Sequence, residues 1–77
     1  MPHVDLKFIT RNLTEAQQNA ISDDLTEVLK KHFGSSDEAV SIRLNEIAKD
    51  DWKSEVYEPI IKAHLDELVK KPGYTMD

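Results

Sequence analysis

At 77 residues the chain is a single domain (residues 1–77), and a globule of that size buries only about 60% of the surface its unfolded form exposes. Small domains make up the deficit with disulfides, a structural metal or self-association; there is no cysteine, and His3, His32 and His64 lack the spacing of a zinc module or a helical metal pair, so a homo-oligomer without a metal is expected. With 15 acidic against 10 basic residues, a formal net charge of -5 and no concentrated basic face, general nucleic-acid binding is excluded.

The N-terminus has no basic leader followed by an apolar run, and no segment approaches the ~20 apolar residues of a membrane span. A cytoplasmic protein with no membrane partner is therefore expected. Residues 3 to 9 alternate, with Val4, Leu6 and Phe8 on one face and His3, Asp5 and Lys7 on the other, the period of a strand. Pro2 falls in phase with the apolar face. Thr14 followed by Gln17 forms a capping box, and Ala16, Ala20, Ile21, Leu25, Val28 and Leu29 make one apolar helical stripe. Gly34 is placed to end that helix.

After the polar turn Ser35-Ser36-Asp37-Glu38, the alternation in residues 40 to 45 predicts a second strand that breaks at Glu46-Ile47. Strand, helix and strand at this spacing form a βαβ unit with parallel strands. Asp50-Asp51-Trp52 reads as a turn or short helical entry. Ile61, His64, Leu65 and Leu68 then predict a second amphipathic helix over roughly residues 55 to 70, with Pro59 in its first turn. Lys70-Lys71 would complement its dipole, and Pro72-Gly73 would stop it. The expected architecture is β-α-β-α, in the α/β (α+β) class. A two-stranded parallel sheet is marginal alone, so oligomerisation is expected to extend it.

Familiar catalytic sets are missing from the sequence. It has no cysteine nucleophile, no nucleophile elbow, and only two glycines, Gly34 and Gly73, too few for phosphate or dinucleotide loops. No cofactor is expected. The neighbouring acids Asp23-Asp24, Asp50-Asp51 and Asp66-Glu67 read as solvated surface.

What remains is the start of the chain and a set of segments in order: Pro2 opening an alternating strand, Arg11 soon after it, Leu13-Thr14-Glu15-Ala16-Gln17, and Val40 to Trp52. Over nearly its whole length the sequence resembles the tautomerase superfamily, in particular its 4-oxalocrotonate tautomerase-like members. The opening Pro2-His3-x-Asp5, the aromatic Trp52 and the ending Lys70-Lys71-Pro72-Gly73-Tyr74 make it most similar to the dimeric para-phenylpyruvate tautomerase-like branch. The resemblance implies a keto–enol isomerase acting on a 2-oxo acid such as phenylpyruvate, with Pro2 catalytic after loss of Met1 and a homodimer as the assembly. It also implies that Arg11 and a second-strand arginine hold the substrate carboxylate and that Trp52 walls the pocket. Ser41 stands at the family's second-strand arginine position, and Arg43 lies two residues further along the same face.

The chemistry of an N-terminal proline suits that role. Proton transfer between carbon and oxygen calls for a base with a pKa near the working pH, and an α-amino group begins at about 7.7 to 8.0. Apolar surroundings or a nearby cation lower it further. Inside a peptide bond the same nitrogen has no basicity, so a retained Met1 would silence it. The same scaffold also suits a dehalogenase or decarboxylase using protonated Pro2 as acid, and without the resemblance a non-enzymatic oligomeric module remains open. On that plainer reading Pro2 opens an edge strand, His3, Arg11 and Arg43 are surface groups, and Trp52 is core or interface. Tyr74 either closes a pocket or extends a dimer contact.

Overall fold

The computed structural model describes residues 1–77. The first alternating segment forms strand β1 (His3–Ile9). Asn12 follows with φ of 53°, the only non-glycine residue at positive φ. Asparagine tolerates this left-handed conformation better than most residues, and here it turns the chain from the strand toward the helix.

Helix α1 (Glu15–Phe33) starts at the expected capping box. The Gln17 backbone N–H donates to Thr14 Oγ1 at 3.1 Å, and the Thr14 N–H donates to Gln17 Oε1 at 2.8 Å, so two helix-end donors are satisfied reciprocally. Glu15 lies in the first turn and Lys30, Lys31 and His32 in the last, each sign favourable to the helix dipole. Lys30 also reaches Asp37 at 3.3 Å across the next turn. The hydrogen bond to Asp37 raises the Lys30 pKa above its ordinary value. Both side chains are well exposed, so this ties the turn to the helix end at little energetic gain.

Gly34 ends α1 as expected, at φ 66° and ψ 22°, and its N–H donates to the Lys30 carbonyl at 3.1 Å. A Cβ added there would meet nothing within 4 Å, so a side chain is opposed by the backbone conformation alone. Gly34→Ala is expected to cost about 1 kcal/mol, lowering the melting temperature by roughly 4–8 °C in a domain of this size. A thermal melt checks this, and an unchanged midpoint would contradict the cap assignment.

Strand β2 (Ser41–Ile47) runs parallel to β1 from His3↔Ser41 to Ile9↔Ile47, so the predicted βαβ unit and two-stranded sheet are present. The strand does not break at Glu46-Ile47 as the alternation suggested. Ladder pairing with Phe8 and Ile9 carries it through both residues. In this register Val4, Leu6 and Phe8 share a face with Ile42 and Leu44, and His3, Asp5 and Lys7 share the other with Ser41, Arg43 and Asn45.

The C-terminal third departs from a regular second helix. A 3₁₀ turn (Lys49–Asp51) leads into a π-helical segment (Lys53–Ile61) and then a second 3₁₀ segment (Lys62–Glu67). Pro59 therefore lies inside the helical arm and not in its first turn. Proline offers no N–H and its ring presses on the carbonyl four residues back, and widening to π-type spacing accommodates that conflict. His64 is already outside helical geometry (φ -125°, ψ 30°), and Leu68 is extended. The arm ends at Glu67, so Lys70 and Lys71 lie beyond it and do not cap its dipole.

Little of this single chain is covered. Only Val56 (3% exposed) and Tyr57 (6%) are buried, and no residue of α1 is. The accessible surface is 6049 Å², whereas a compact monomer of 8.8 kDa would expose about 4,800 Å². The Cα radius of gyration, 14.3 Å, likewise exceeds the roughly 11.5 Å of a compact chain of this length. The excess area is larger than the ~800 Å² that each partner contributes to a standard interface. Apolar side chains lie within it, among them Phe33 at 69% and Val28 at 51% exposed.

Candidate active site

Pro2 sits half-buried at the entrance to β1. Its carbonyl accepts a hydrogen bond from the Ser41 N–H at 3.2 Å, which anchors the start of the chain to β2. Next to it, His3 Nδ1 and Ser41 Oγ are hydrogen-bonded at 2.7 Å. Ser41 is thus occupied locally, on the opposite face of the strand from the one Pro2 is in phase with.

Arg43 pairs in register with Asp5. The Asp5 carboxyl is held below its ordinary pKa, first by the hydrogen bond from Lys7 and more weakly by the Arg43 charge. Lys7 Nζ lies 2.8 Å from Asp5 Oδ2, so this carboxylate engages the lysine closely. Arg43 lines a polar cleft of about 390 Å³ together with Gln18 and Asn45, floored by Phe8 and Leu44.

Arg11 and Trp52 meet in a different cleft, of about 470 Å³. Its strand wall is Lys7, Phe8 and Ile9, consecutive residues that point to alternate faces, and no β2 residue takes part, which puts the cleft on the unpaired side of β1. Tyr74 and Met76 of the tail close it. Trp52 Nε1 donates to Tyr74 Oη at 3.1 Å, and the Tyr74 ring is tilted 35° against Tyr57 at 5.8 Å between centroids. Arg11 is exposed and forms no salt bridge, unlike Lys7. The cleft therefore offers a free guanidinium at the rim of an aromatic and aliphatic wall, a pattern suited to a small carboxylate with an apolar body.

The four residues singled out from the sequence are not brought together within one chain. Arg11 and Trp52 share the apolar cleft, Arg43 lines the polar one, and Pro2 lines neither. Pro2 and Arg11 flank opposite ends of the 7-residue strand β1, which spans about 23 Å at ~3.3 Å per residue. Lys7, Phe8, Ile9 and Met76 were not anticipated as cleft residues. The first three carry only a strand signal, and Met76 carries no pattern at all.

The family model described as "Tautomerase enzyme" matches residues 2–56. The chain belongs to the tautomerase family. It is 60% identical over 75 residues to "Tautomerase PptA" of Pectobacterium carotovorum subsp. carotovorum (strain PC1), covering 97% of this chain and 99% of that protein. The protein of that name from Enterobacter sp. (strain 638) is 47% identical over 76 residues, 99% of this chain and 100% of the relative. The one from Escherichia coli (strain K12 / DH10B) is 38% identical over 77 residues, 100% of this chain and 99% of the relative. The expected family resemblance, β-α-β fold and isomerase class are thereby established. The matched span contains Pro2, Arg11, Arg43 and Trp52 and stops before the tail that closes the tautomerase's apolar cleft. No helix is long and apolar enough to cross a membrane.

Proposed function

We propose that this tautomerase interconverts the enol and keto forms of a 2-oxo acid with an aryl group, such as phenylpyruvate, using the secondary amine of Pro2 after removal of Met1. The observation that carries the substrate class is the Arg11 cleft, in which an unpaired guanidinium borders a wall that includes Phe8 and Trp52. The guanidinium binds the carboxylate by charge-assisted hydrogen bonds, and the apolar wall takes the ring.

In the ketonisation direction the neutral amine accepts the enol hydroxyl proton. As the carbonyl forms, electron density moves to C3, and the resulting ammonium returns a proton there. Atoms and charge balance without a cofactor. Arg11 contributes a positive field that favours the neutral amine and stabilises charge developing on the substrate oxygens.

One substrate molecule cannot touch both Pro2 and Arg11 of the same chain across the length of β1. A homodimer resolves this if the partner lies antiparallel along the unpaired side of β1, bringing its own Pro2 toward this chain's Arg11 and Trp52. Arg43, on β2 and on the face opposite the one Pro2 follows, stays with the polar cleft and outside this shared site. The large exposed surface supports such an assembly. Initiator methionine removal is a cytoplasmic process, and the proposed site of action is the cytoplasm.

The test is the decay of phenylpyruvate enol absorbance with Met1-free protein. No acceleration over buffer would overturn the assignment. Arg11→Ala is expected to lower kcat/KM by about 10- to 100-fold, the equivalent of a charged hydrogen bond, with the fold unchanged by circular dichroism. Arg11→Lys should recover only part of the loss, since the ammonium lacks the planar fork.

A further inference from the structure

Beyond the helical arm, which ends at Glu67, the chain has no regular structure, yet Met76 is half-buried. Tyr74 is held on two sides. Its hydroxyl accepts from Trp52 Nε1 at 3.1 Å, and its ring rests 5.8 Å from that of Tyr57, one of only two buried residues. Tyr74 itself stays 46% exposed and lines the cleft with Met76.

An indole in this position needs a partner for its N–H, and which partner it finds decides how the ring is turned. With the hydroxyl in place, Trp52 has a defined orientation along the cleft. Without it the ring regains freedom that substrate binding must then remove. Phe8 and Ile9 also line the cleft, and its volume of about 470 Å³ lies in the usual small-molecule range of roughly 300–1,000 Å³.

We propose that Tyr74 is a positioning residue for Trp52, and that the segment Tyr74–Met76 is the wall that makes this cleft prefer carboxylates with a flat apolar end over short aliphatic ones. The catalytic consequence rests on the function proposed above. The binding consequence does not, because an unreactive carboxylate reports on the cleft whether or not Pro2 performs proton transfer.

Trp52 is the only tryptophan, so its fluorescence is a direct probe. Full-length protein is titrated with 3-phenylpropionate and with propionate, neither of which has a keto group to enolise. The wild type is expected to bind the aryl acid at least tenfold more tightly, in line with apolar-pocket discrimination. Tyr74→Phe, which keeps the ring and removes the hydroxyl, should shift the Trp52 emission and cut that preference about fivefold. Met76→Ala should cut it without the spectral shift of Tyr74→Phe.

With substrates, both variants should raise KM for phenylpyruvate enol more than they lower kcat, and should lose more on the aryl substrate than on a short aliphatic 2-oxo acid. No aryl preference in the wild type, or an unchanged preference and unchanged emission in Tyr74→Phe, overturns the proposal. Equal losses on aryl and aliphatic ligands do so too, because they mark a merely structural role. If no 2-oxo acid is turned over but the binding preference behaves as stated, the tail assignment stands and the tautomerisation of 2-oxo acids falls.

Discussion

Protein from which Met1 has been removed is expected to ketonise phenylpyruvate enol, and the same chain retaining Met1 to be slower by about 10²- to 10⁴-fold, the usual contribution of a positioned acid/base group. The two forms differ in whether one nitrogen is an amine or an amide. In the amide the lone pair is delocalised into the peptide bond, so no proton can be held there at neutral pH. The rate should rise with pH as the ammonium loses its proton, with a midpoint at or below about 8, because an α-amino group starts at about 7.7 to 8.0 and a neighbouring guanidinium lowers it. Pro2→Ala keeps a terminal amine of similar basicity but frees its rotation, so it should lose activity while folding normally. Mass spectrometry assigns the two forms and a stopped-flow pH profile compares them. Equal turnover by both would remove Pro2 from the mechanism.

Mixing two nearly inactive variants, Pro2→Ala and Arg11→Ala, is expected to restore activity. If each site takes Pro2 from one chain and Arg11 from the other, a heterodimer holds one site with both residues intact and one with both replaced. Random exchange makes half of the dimers heterodimers, so about one quarter of wild-type site activity should return after co-refolding. The gain over either variant alone is then limited only by their residual rates. Restoration fails if Pro2 and Arg11 serve from the same chain, and sedimentation of the mixture shows whether dimers formed. The roughly 23 Å length of β1 makes the shared site the expected result.

Local rules decided much of the backbone, and those parts were legible. The alternation in β1, the Thr14–Gln17 capping box and the left-handed Gly34 are each set within a few residues, and each appears where the sequence put it. The arm after β2 was misplaced because its geometry depends on how the chain absorbs Pro59. A proline one turn into a helix is harmless, but one deeper inside forces the wider π-type spacing. The arm carries the two buried residues, Val56 and Tyr57.

For the site, the resemblance to the tautomerase superfamily pointed to Pro2, Arg11, Arg43 and Trp52, and only for Pro2 did residue chemistry add an independent reason, since a proline nitrogen freed of Met1 is a secondary amine suited to proton transfer. Their grouping was decided only by the tertiary structure. Strand geometry separates Pro2 from Arg11, since an extended backbone cannot fold its two ends together. The register sends Arg43 to Asp5 and to a different cleft. The tail returns across 22 positions so that Tyr74 meets Trp52, a contact that no periodicity encodes because it is made between side chains after the chain has folded back.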